Sequence, residues 1–277
     1  MQAHKNFGKL PLTEVLKPVI RQAEEGIRVS YDLEQAIGSS SQLKKDAESR
    51  RIYFKDGSPI KQGSLMQRPD LAKTLSLIAE NGAKTFYEGE IAEKFVLAMQ
   101  LNEGLITDAD LKNYKSRFST PIGINYRGQK VFTHGPPSGG GIVLLTALNV
   151  LENFDLKKHG SNSSTTYHLL AEALRRGHNN RSHHVGDPSF YKTPIENFLS
   201  SERTKQLARN INFKKATASS AIKPLKVRNE SKDTTHYSIV DEEGNSISNT
   251  YTLGSSFGSG VTTVSYTHLT LPTIYSV

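Results

Sequence analysis

Two strand-like runs joined by a short turn constrain this chain more than any other feature of its sequence. Residues 233–241 read Asp-Thr-Thr-His-Tyr-Ser-Ile-Val-Asp, the next residues are Glu-Glu-Gly-Asn, and a second run extends from Ser246 to Leu253. Strand-forming residues on both sides of a glycine-containing turn predict an antiparallel hairpin. A polar, lysine-rich linker, residues 223–233, precedes it. The first strand therefore begins on hydroxyl side chains directly after a linker.

The alternation of side chains along the first strand separates its two adjacent threonines. Successive side chains of a strand point to opposite faces of the sheet. The predicted faces are Thr234, His236 and Ser238 on one side, and Thr235, Tyr237 and Ile239 on the other. Without its context, a Thr-Thr pair is an ordinary beginning for a strand, because β-branched residues favour strands. Alternation alone indicates that one threonine faces a site, and it leaves open which one.

The Thr-Thr-His-Tyr-Ser segment resembles the processing junction of the γ-glutamyltranspeptidases (glutathione hydrolases), where it begins the small subunit after self-cleavage. The similarity covers Ala3 to Gly260 and includes a Gly-Pro-Pro-Ser-Gly-Gly-Gly loop at residues 135–141. This resemblance implies an α/β chain of the N-terminal-nucleophile hydrolase fold, a layered α/β/β/α sandwich that is incomplete here. It also implies that Thr234 is the nucleophile and that autocleavage breaks the bond between Asp233 and Thr234.

The chemistry of an amino-terminal threonine explains why this residue type belongs there. A threonine hydroxyl is a weak nucleophile until a base removes its proton, and a threonine at a chain terminus carries its own base. An α-amino group has a pKa of about 7.7–8.0 in model peptides, so part of it is neutral at working pH. The amine exists only after the bond is cut. The expected route is attack by the Thr234 hydroxyl on the Asp233 carbonyl, an N-to-O acyl shift and hydrolysis of the ester.

The second strand-like run carries one further residue of the family's site. In the family, a threonine two residues before an asparagine contacts the nucleophile, and the asparagine helps to hold the γ-glutamyl donor. Here the run at 249–254 reads Asn-Thr-Tyr-Thr-Leu-Gly. The resemblance gives the first role to Thr252, for which a purely structural strand threonine is the alternative. Gly254 replaces the asparagine, so the substrate-binding residues of this chain remain unknown.

The resemblance divides the chain into three parts. Residues 1–233 correspond to part of the large subunit, which is mostly helical and ends in a linker, and residues 234–263 begin the small subunit. The final part, 264–277, begins Val-Ser-Tyr-Thr-His-Leu and matches the translation of an adaptor used in sequencing libraries. We therefore expect it to be read-through sequence and exclude His268 as a ligand or base. In the family, the carboxylate side chain that binds the substrate amine and a Ser-Ser pair near the oxyanion hole follow the position of Gly260, so we expect this fragment to be inactive.

The amino end is informative mainly through the resemblance. Met-Gln-Ala-His-Lys is polar, and no apolar signal-peptide core follows it. Because the similarity begins within the large subunit, we expect the export signal to lie in a region outside this chain, together with an arginine that pairs with the substrate carboxylate. The resemblance implies a periplasmic or secreted location.

Composition excludes several other kinds of site. The chain has no cysteine, which excludes disulfides and cysteine nucleophiles, and no apolar run approaches the ~20 residues that a membrane-spanning helix needs. Its net charge of +8 comes from scattered basic residues without interleaved aromatics, so we expect no nucleic-acid partner. Adjacent histidines point to different sides of a helix, and no zinc-protease pattern is complete. We therefore expect neither a metal nor a cofactor, despite the cluster His178, His183, His184 and Asp187.

Apolar spacing predicts three long helices, over residues 12–25, 69–81 and 165–185. In the third helix the predicted core stripe is Tyr167, Leu170, Ala171 and Leu174. The glycine-rich loop at 135–141 opens a further helix, and its spacing is neither a Walker loop nor a dinucleotide fingerprint. We therefore predict a structural loop with close backbone approach, beside a packed His134.

The function implied by the resemblance is γ-glutamyl transfer from glutathione or a related γ-glutamyl amide, through an acyl-enzyme on Thr234. Water or an amino-acid or peptide acceptor would take the acyl group, and the two subunits would come from one precursor. Two alternatives remain. One is a related N-terminal-nucleophile acylase, either a cephalosporin acylase or a poly-γ-glutamate transpeptidase. The other is a non-catalytic basic protein that binds anionic polymers.

Overall fold

The structure is a computed structural model that describes residues 1–218, 221–222, 235–253, 256–263 and 266–267, with only the backbone described at 182–184 and 266–267. Helices and strands both contribute. The helices are α1 (Gln2–Phe7), α2 (Leu12–Glu25), α3 (Tyr31–Ser39), α4 (Ser41–Lys45), α5 (Ala47–Tyr53), α6 (Pro69–Asn81), α7 (Lys84–Glu88), α8 (Glu90–Leu101), α9 (Asp108–Asn113), α10 (Gly140–Leu151), α11 (Leu156–His159), α12 (Ser164–His184), α13 (Ile195–Leu199) and α14 (Ser201–Arg209). The strands are β1 (Ile27–Arg28), β2 (Phe54–Lys55), β3 (Ser58–Pro59), β4 (Leu65–Met66), β5 (Ile122–Tyr126), β6 (Gln129–Thr133), β7 (Thr235–Val240), β8 (Ser246–Tyr251), β9 (Thr262–Thr263) and β10 (Tyr266–Thr267).

The chain folds into two compact units, Met1–Ser116 with Glu230–Val277, and Arg117–Asn229. The strands pair as five antiparallel two-stranded sheets within the described residues: β1 with β4, β2 with β3, β5 with β6, β7 with β8, and β9 with β10. None of the helices in this part of the chain is both long and apolar enough to cross a membrane.

The first unit is built on small helices around two apolar clusters. One cluster contains the buried side chains Val29, Ile37, Leu43, Tyr53 and Met66. The other contains Ala92, Phe95 and Leu111, from α8 and α9. The predicted helices over 12–25 and 69–81 are confirmed to the residue. They are followed by Gly26 and Gly82, which have positive φ angles of 94° and 76°. Only glycine adopts that conformation readily, so each helix ends there.

The second unit forms around α10, the most apolar helix of the chain. Its sequence is nearly all aliphatic, and buried side chains lie on most of its circumference. Helix α12 packs along it, and α13 and α14 also contact it. The resulting cluster contains Ala147, Val150, Leu151, Leu169, Ala173, Ala208 and Ile211. A helix that is apolar on most sides must be covered on most sides, which explains its central place.

Helix α12 occurs where predicted, but the predicted core stripe is wrong. Tyr167, Leu170 and Leu174 are 58%, 40% and 36% exposed, and Ala171 is exposed as well. The buried stripe contains Leu169, Glu172, Ala173, Arg176 and Asn180. Close approach to α10 occurs at Gly177, on this buried face. A Cβ atom at Gly177 would lie only 2.7 Å from the Val143 carbonyl oxygen.

Two charged residues can occupy the buried face of α12 because each satisfies the other. The Glu172 carboxylate accepts hydrogen bonds from the Arg176 guanidinium at 2.6 Å, the Arg175 guanidinium at 2.7 Å and the Thr217 hydroxyl at 2.5 Å. Arg176 also donates to the carbonyl oxygens of Leu207 and Asn210, both at 3.1 Å. A buried charge is tolerated only with such pairing.

The hydrogen bonds around Glu172 set its acidity. Burial acts to raise the pKa of Glu172, but the hydrogen bonds from Thr217 and Arg176 outweigh it and lower the pKa to about 2. The residue thus remains ionised far below the pH at which an ordinary glutamate is protonated. The same bonds fasten Thr217, the residue shortly before the linker, to the body of this unit.

The lowered pKa of Glu172 predicts a pH-dependent stability difference. Because the folded pKa of about 2 is below the ordinary 4.5, Glu172 stabilises the fold above pH 4.5, and this contribution is lost as the pH falls toward 2. Glu172→Gln should lower the free energy of unfolding by about 3 kcal/mol at pH 7, measured by urea denaturation. The difference from wild type should shrink between pH 5 and pH 2.

The control for this prediction is Glu90→Gln. Glu90 forms an exposed pair with Lys94 on the surface of α8, and such pairs contribute little to stability. A Glu172→Gln difference that stayed constant down to pH 2, or that matched the difference for Glu90→Gln at pH 7, would contradict the assignment.

Candidate active site

The β7–β8 hairpin forms as predicted, with a defined register. Opposing residues run from Thr235 with Tyr251 to Val240 with Ser246. The Asp241 carboxylate closes the turn, accepting hydrogen bonds from the backbone and side-chain amides of Asn245, both at 2.8 Å. Gly244 adopts the positive φ of 82° that the turn requires. The turn residues therefore fix which side chains of the two strands share a face.

One face of the hairpin is polar and is organised around a histidine. His236 Nδ1 lies 2.8 Å from the Thr250 hydroxyl. His236 Nε2 lies 3.3 Å from the Ser238 hydroxyl and 3.2 Å from the Ser248 hydroxyl. The predicted placement of His236 and Ser238 on one face is thus confirmed. Because both ring nitrogens have hydroxyl partners, the orientation of the imidazole is fixed.

The opposite face is aromatic and aliphatic, and it is open to solvent. Tyr237 accepts a hydrogen bond from Asn249 at 2.8 Å, across the two strands. Ile239 and Ile247 face each other in the register and are 56% and 53% exposed. The two faces therefore differ in chemistry, with hydroxyl and imidazole groups on one and apolar groups on the other.

Three of the predicted site residues lie outside the described part of the chain: Asp233, Thr234 and Gly254. Thr252 is described. It follows β8 directly and is exposed. Side-chain alternation continued from Thr250 assigns Thr252 to the polar, His236-bearing face. The structure thus brings together the beginning of β7 and the end of β8, the two chain positions to which the sequence assigns catalytic residues.

The hydroxyl cluster around His236 was not anticipated from the sequence. Polar residues recur at every second position in both runs, at 236 and 238 in one and at 246, 248 and 250 in the other. This period of two assigns each set to one face, but only the register shows that the two sets meet. A turn assignment of Asp241 to Asn245, combined with that period, would have found the cluster.

The glycine-rich loop before α10 shows the predicted close backbone approach. A Cβ atom at Gly141 would lie 2.1 Å from the His134 carbonyl oxygen, and one at Gly139 would lie 2.6 Å from the Arg181 side chain. At Gly140 there is open space. The prediction that His134 is packed is wrong, because it is exposed, and its Nδ1 lies 3.0 Å from the Gly135 carbonyl oxygen. The backbone at His134, rather than its imidazole, makes the close contact.

Asp187, which the sequence places beside several histidines, has other partners. It accepts a hydrogen bond from the Ser189 backbone amide at 2.8 Å, and the Arg117 guanidinium lies 3.4 Å away. These contacts, led by the Ser189 hydrogen bond, lower the pKa of Asp187. Among the residues that the structure describes, no group of three or more acidic, histidine or cysteine side chains is arranged to hold a metal ion. The side chains of His183 and His184 are outside this description.

Comparison with known proteins identifies the chain. The sequence model of the gamma-glutamyltranspeptidase family matches residues 1–266. The chain belongs to this family. It is 42% identical over 258 residues to the glutathione hydrolase proenzyme of Escherichia coli strain K12, a match that covers 92% of this chain and 44% of that protein. This member of the gamma-glutamyltranspeptidase family therefore spans less than half the length of that relative.

Solved structures agree with the family assignment. The gamma-glutamyltranspeptidase of Helicobacter pylori superposes with a TM-score of 0.76 at 34% identity, covering 80% of this chain and 64% of that one. Cephalosporin acylase from Bacillus halodurans superposes with a TM-score of 0.69 at 28% identity, covering 76% of this chain and 40% of that one. The predicted family and the predicted N-terminal-nucleophile hydrolase fold are both confirmed.

The glycine loop of this family member yields a matched pair of substitutions. Gly141→Ala should lower the free energy of unfolding by about 1–3 kcal/mol, because its Cβ overlaps the His134 carbonyl oxygen. Gly140→Ala, in open space at the start of α10, should be neutral or stabilising by about 0.5–1 kcal/mol. Urea unfolding measures both, and equal effects would contradict the close approach.

Proposed function

We propose that the complete protein containing this chain is a γ-glutamyltransferase and glutathione hydrolase with an amino-terminal threonine nucleophile. The observation that carries the proposal is the family match through residue 266, which includes the Thr-Thr-His-Tyr-Ser segment at the beginning of the β7–β8 hairpin. The relatives include a glutathione hydrolase named as a proenzyme, and a proenzyme becomes active by processing. Thr234 is the proposed nucleophile, and the Asp233–Thr234 bond is the proposed cut.

The register of the hairpin supports the proposed contact between Thr252 and Thr234. The last described pair is Thr235 with Tyr251. Thr252 directly follows Tyr251 in the sequence, and Thr234 directly precedes Thr235. In this proposal the Thr252 hydroxyl forms a hydrogen bond with the Thr234 oxygen or amine and orients it.

Self-cleavage would proceed in two balanced steps. The Thr234 hydroxyl oxygen attacks the Asp233 carbonyl carbon, the C–N bond breaks, and the amide nitrogen leaves as the α-amine of Thr234 after receiving a proton. Water then hydrolyses the resulting ester, giving the Asp233 carboxylate and the free hydroxyl. The new amine is the base that the hydroxyl lacked before the cut. No cofactor takes part in either step.

Turnover would repeat the same chemistry on the substrate. The Thr234 hydroxyl gives its proton to the terminal amine and attacks the γ-glutamyl carbonyl carbon of glutathione or a related amide. The amine of the leaving group takes a proton as its C–N bond breaks, and the acyl group stays on the threonine as an ester. Water or the amine of an amino acid or peptide then attacks that ester and releases the product. The two partial reactions occur in succession at one hydroxyl, as in a ping-pong mechanism.

The three-part division of the chain belongs to the same proposal. Residues 1–233 supply part of the large subunit, 234–263 begin the small subunit, and 264–277 are read-through sequence. We also propose a periplasmic or secreted location, on the strength of the family resemblance. Gly254 offers no side-chain amide, so in this proposal that contact to the γ-glutamyl group is lost or is supplied by another residue.

A second candidate function is that of a related acylase, which shares the self-cleavage but not the donor. The similarity to cephalosporin acylase and the presence of Gly254 in place of the family asparagine favour it. Release of nitroaniline from γ-glutamyl-p-nitroanilide, compared with hydrolysis of a glutaryl-cephalosporin by the complete processed protein, distinguishes the two. Hydrolysis of only the cephalosporin would replace the first proposal with the second.

Substitution of the nucleophile tests the proposed function directly. In the complete precursor, Thr234→Ala should abolish self-cleavage, whereas Thr234→Ser should retain it because the hydroxyl remains. Mass spectrometry of the incubated precursor should find a single break between residues 233 and 234 in the wild type. A Thr234→Ala precursor that cleaved at this bond and retained γ-glutamyl transfer would refute the assignment.

The role of Thr252 has its own test. Thr252→Val removes the hydroxyl but keeps the shape, and it should slow self-cleavage by about 10–100-fold if the hydroxyl orients the nucleophile. The matched change Thr250→Val affects a hydroxyl that contacts His236 and should change the rate by no more than about twofold, as an exposed substitution does. Gel densitometry over time measures both rates, and equal rates for the two variants would assign Thr252 a structural role.

A further inference from the structure

A buried group of hydrogen bonds connects helix α5 to residues that follow the linker. Ser49, which is fully buried, donates from its hydroxyl to the Gly260 carbonyl oxygen at 2.8 Å, and that hydroxyl also lies 2.7 Å from the Thr262 hydroxyl. The Asp46 carboxylate accepts from the Ser49 backbone amide at 2.7 Å and from the Thr262 backbone amide at 3.2 Å. We call Asp46, Ser49, Gly260 and Thr262 the Ser49 joint.

Close backbone packing reinforces the Ser49 joint. Gly260 has a positive φ of 75°, and a Cβ atom there would lie 2.4 Å from the Cβ atom of Gln42. The ring of Phe257 lies against that of Tyr53, with centroids 5.7 Å apart. These contacts extend the joint from α5 to the start of α4 and to the neighbouring apolar cluster. The joint therefore accommodates a segment with glycine at position 260, and an arbitrary apolar segment would not fit.

The Ser49 joint is also the buried attachment of the segment after the linker. Among the described residues from 235 onward, the buried ones are Gly260, Thr262 and Thr263, while nearly all of the β7–β8 hairpin is exposed. The hairpin's ion pair, Lys9 with Glu243 at 3.7 Å, is exposed on both sides, and such pairs contribute little. The attachment of this segment therefore depends on residues 257–263.

We propose that the Ser49 joint is the interface that retains the C-terminal piece of the chain once the backbone before Thr234 is cut. This inference rests on the proposed function only because self-cleavage is the event that would cut the backbone in the cell. The two sides of the joint lie on opposite sides of the cut, 211 and 213 residues apart in its two hydroxyl contacts. The partner is the piece beginning at Thr234, recognised through the Gly260 carbonyl and the Thr262 amide and hydroxyl.

The joint can be tested without self-cleavage. A protease recognition sequence replaces residues 227 and 228 of the full chain. The chain also carries Thr234→Ala, so that the added protease makes the only cut. After cutting and dilution, size-exclusion chromatography should find the C-terminal piece eluting with the N-terminal one. Ser49→Ala should speed its loss by about tenfold or more, because two buried polar groups lose their partner.

Glycine substitutions supply a matched pair that leaves every hydroxyl in place. Gly260→Ala should release the piece, because its Cβ collides with Gln42, whereas Gly244→Ala should not. Gly244 has a similar positive φ, 82°, but has no atom within 4 Å of its would-be Cβ, so both variants carry the same backbone strain. Ser39→Ala, which removes a hydroxyl bonded only within α3, is the control for Ser49→Ala.

The outcomes distinguish a failure of the Ser49 joint proposal from a failure of the proposed role of Thr234. Separation of the two pieces from the otherwise unaltered chain, or equal retention by Ser49→Ala, Gly260→Ala and their controls, would overturn the joint and leave the role of Thr234 untouched. If circular dichroism of uncut Ser49→Ala finds it unfolded, Asp46→Asn takes its place, because asparagine still caps α5 but binds the Thr262 amide without a charge. Faster loss from Asp46→Asn supports the joint, and unchanged retention counts against it.

Discussion

Hydrogen bonds between residues more than 200 positions apart hold the end of the described chain to its beginning. Ser49 is fully buried and cannot bind water, so its hydroxyl needs hydrogen bonds within the protein. Gly260 and Thr262 supply them. The β7–β8 hairpin is mostly exposed, and the buried residues of the described segment that follows it are Gly260, Thr262 and Thr263. The candidate site, at the ends of β7 and β8, thus depends on a contact outside the hairpin itself.

Elements bounded by strong local signals were predictable from the sequence. Helices α2 and α6 end where glycines with positive φ stop them, and the β7–β8 turn is set by Asp241 and Gly244. The buried face of α12 was not predictable from hydrophobicity, because Glu172 and Arg176 are buried there only through bonds to Thr217 and to carbonyls some thirty residues away. Such long-range partners leave no periodic signal along the helix.

The candidate site, too, was only partly predictable from the sequence. The likeness of the Thr-Thr-His-Tyr-Ser segment to a known junction predicted the family, which the comparisons confirm. The roles of Thr234 and Thr252 stay predictions. The contacts of His236 with Thr250 and Ser248 could be found only from the register of the two strands. Alternation within one strand shows which residues share a face, but not which residues of the other strand lie beside them.

The bond between Glu172 and Thr217 fixes the position of the chain shortly before the linker. Asp233 lies sixteen positions after that anchor in the sequence, a contour length of at most about 55 Å. A change in chain length after residue 217 leaves the Glu172–Thr217 bond itself in place. Shortening the chain before residue 217 would instead pull on a buried charge. A deletion should therefore disturb this buried ion pair when it falls shortly before Thr217 and spare it when it falls after Thr217.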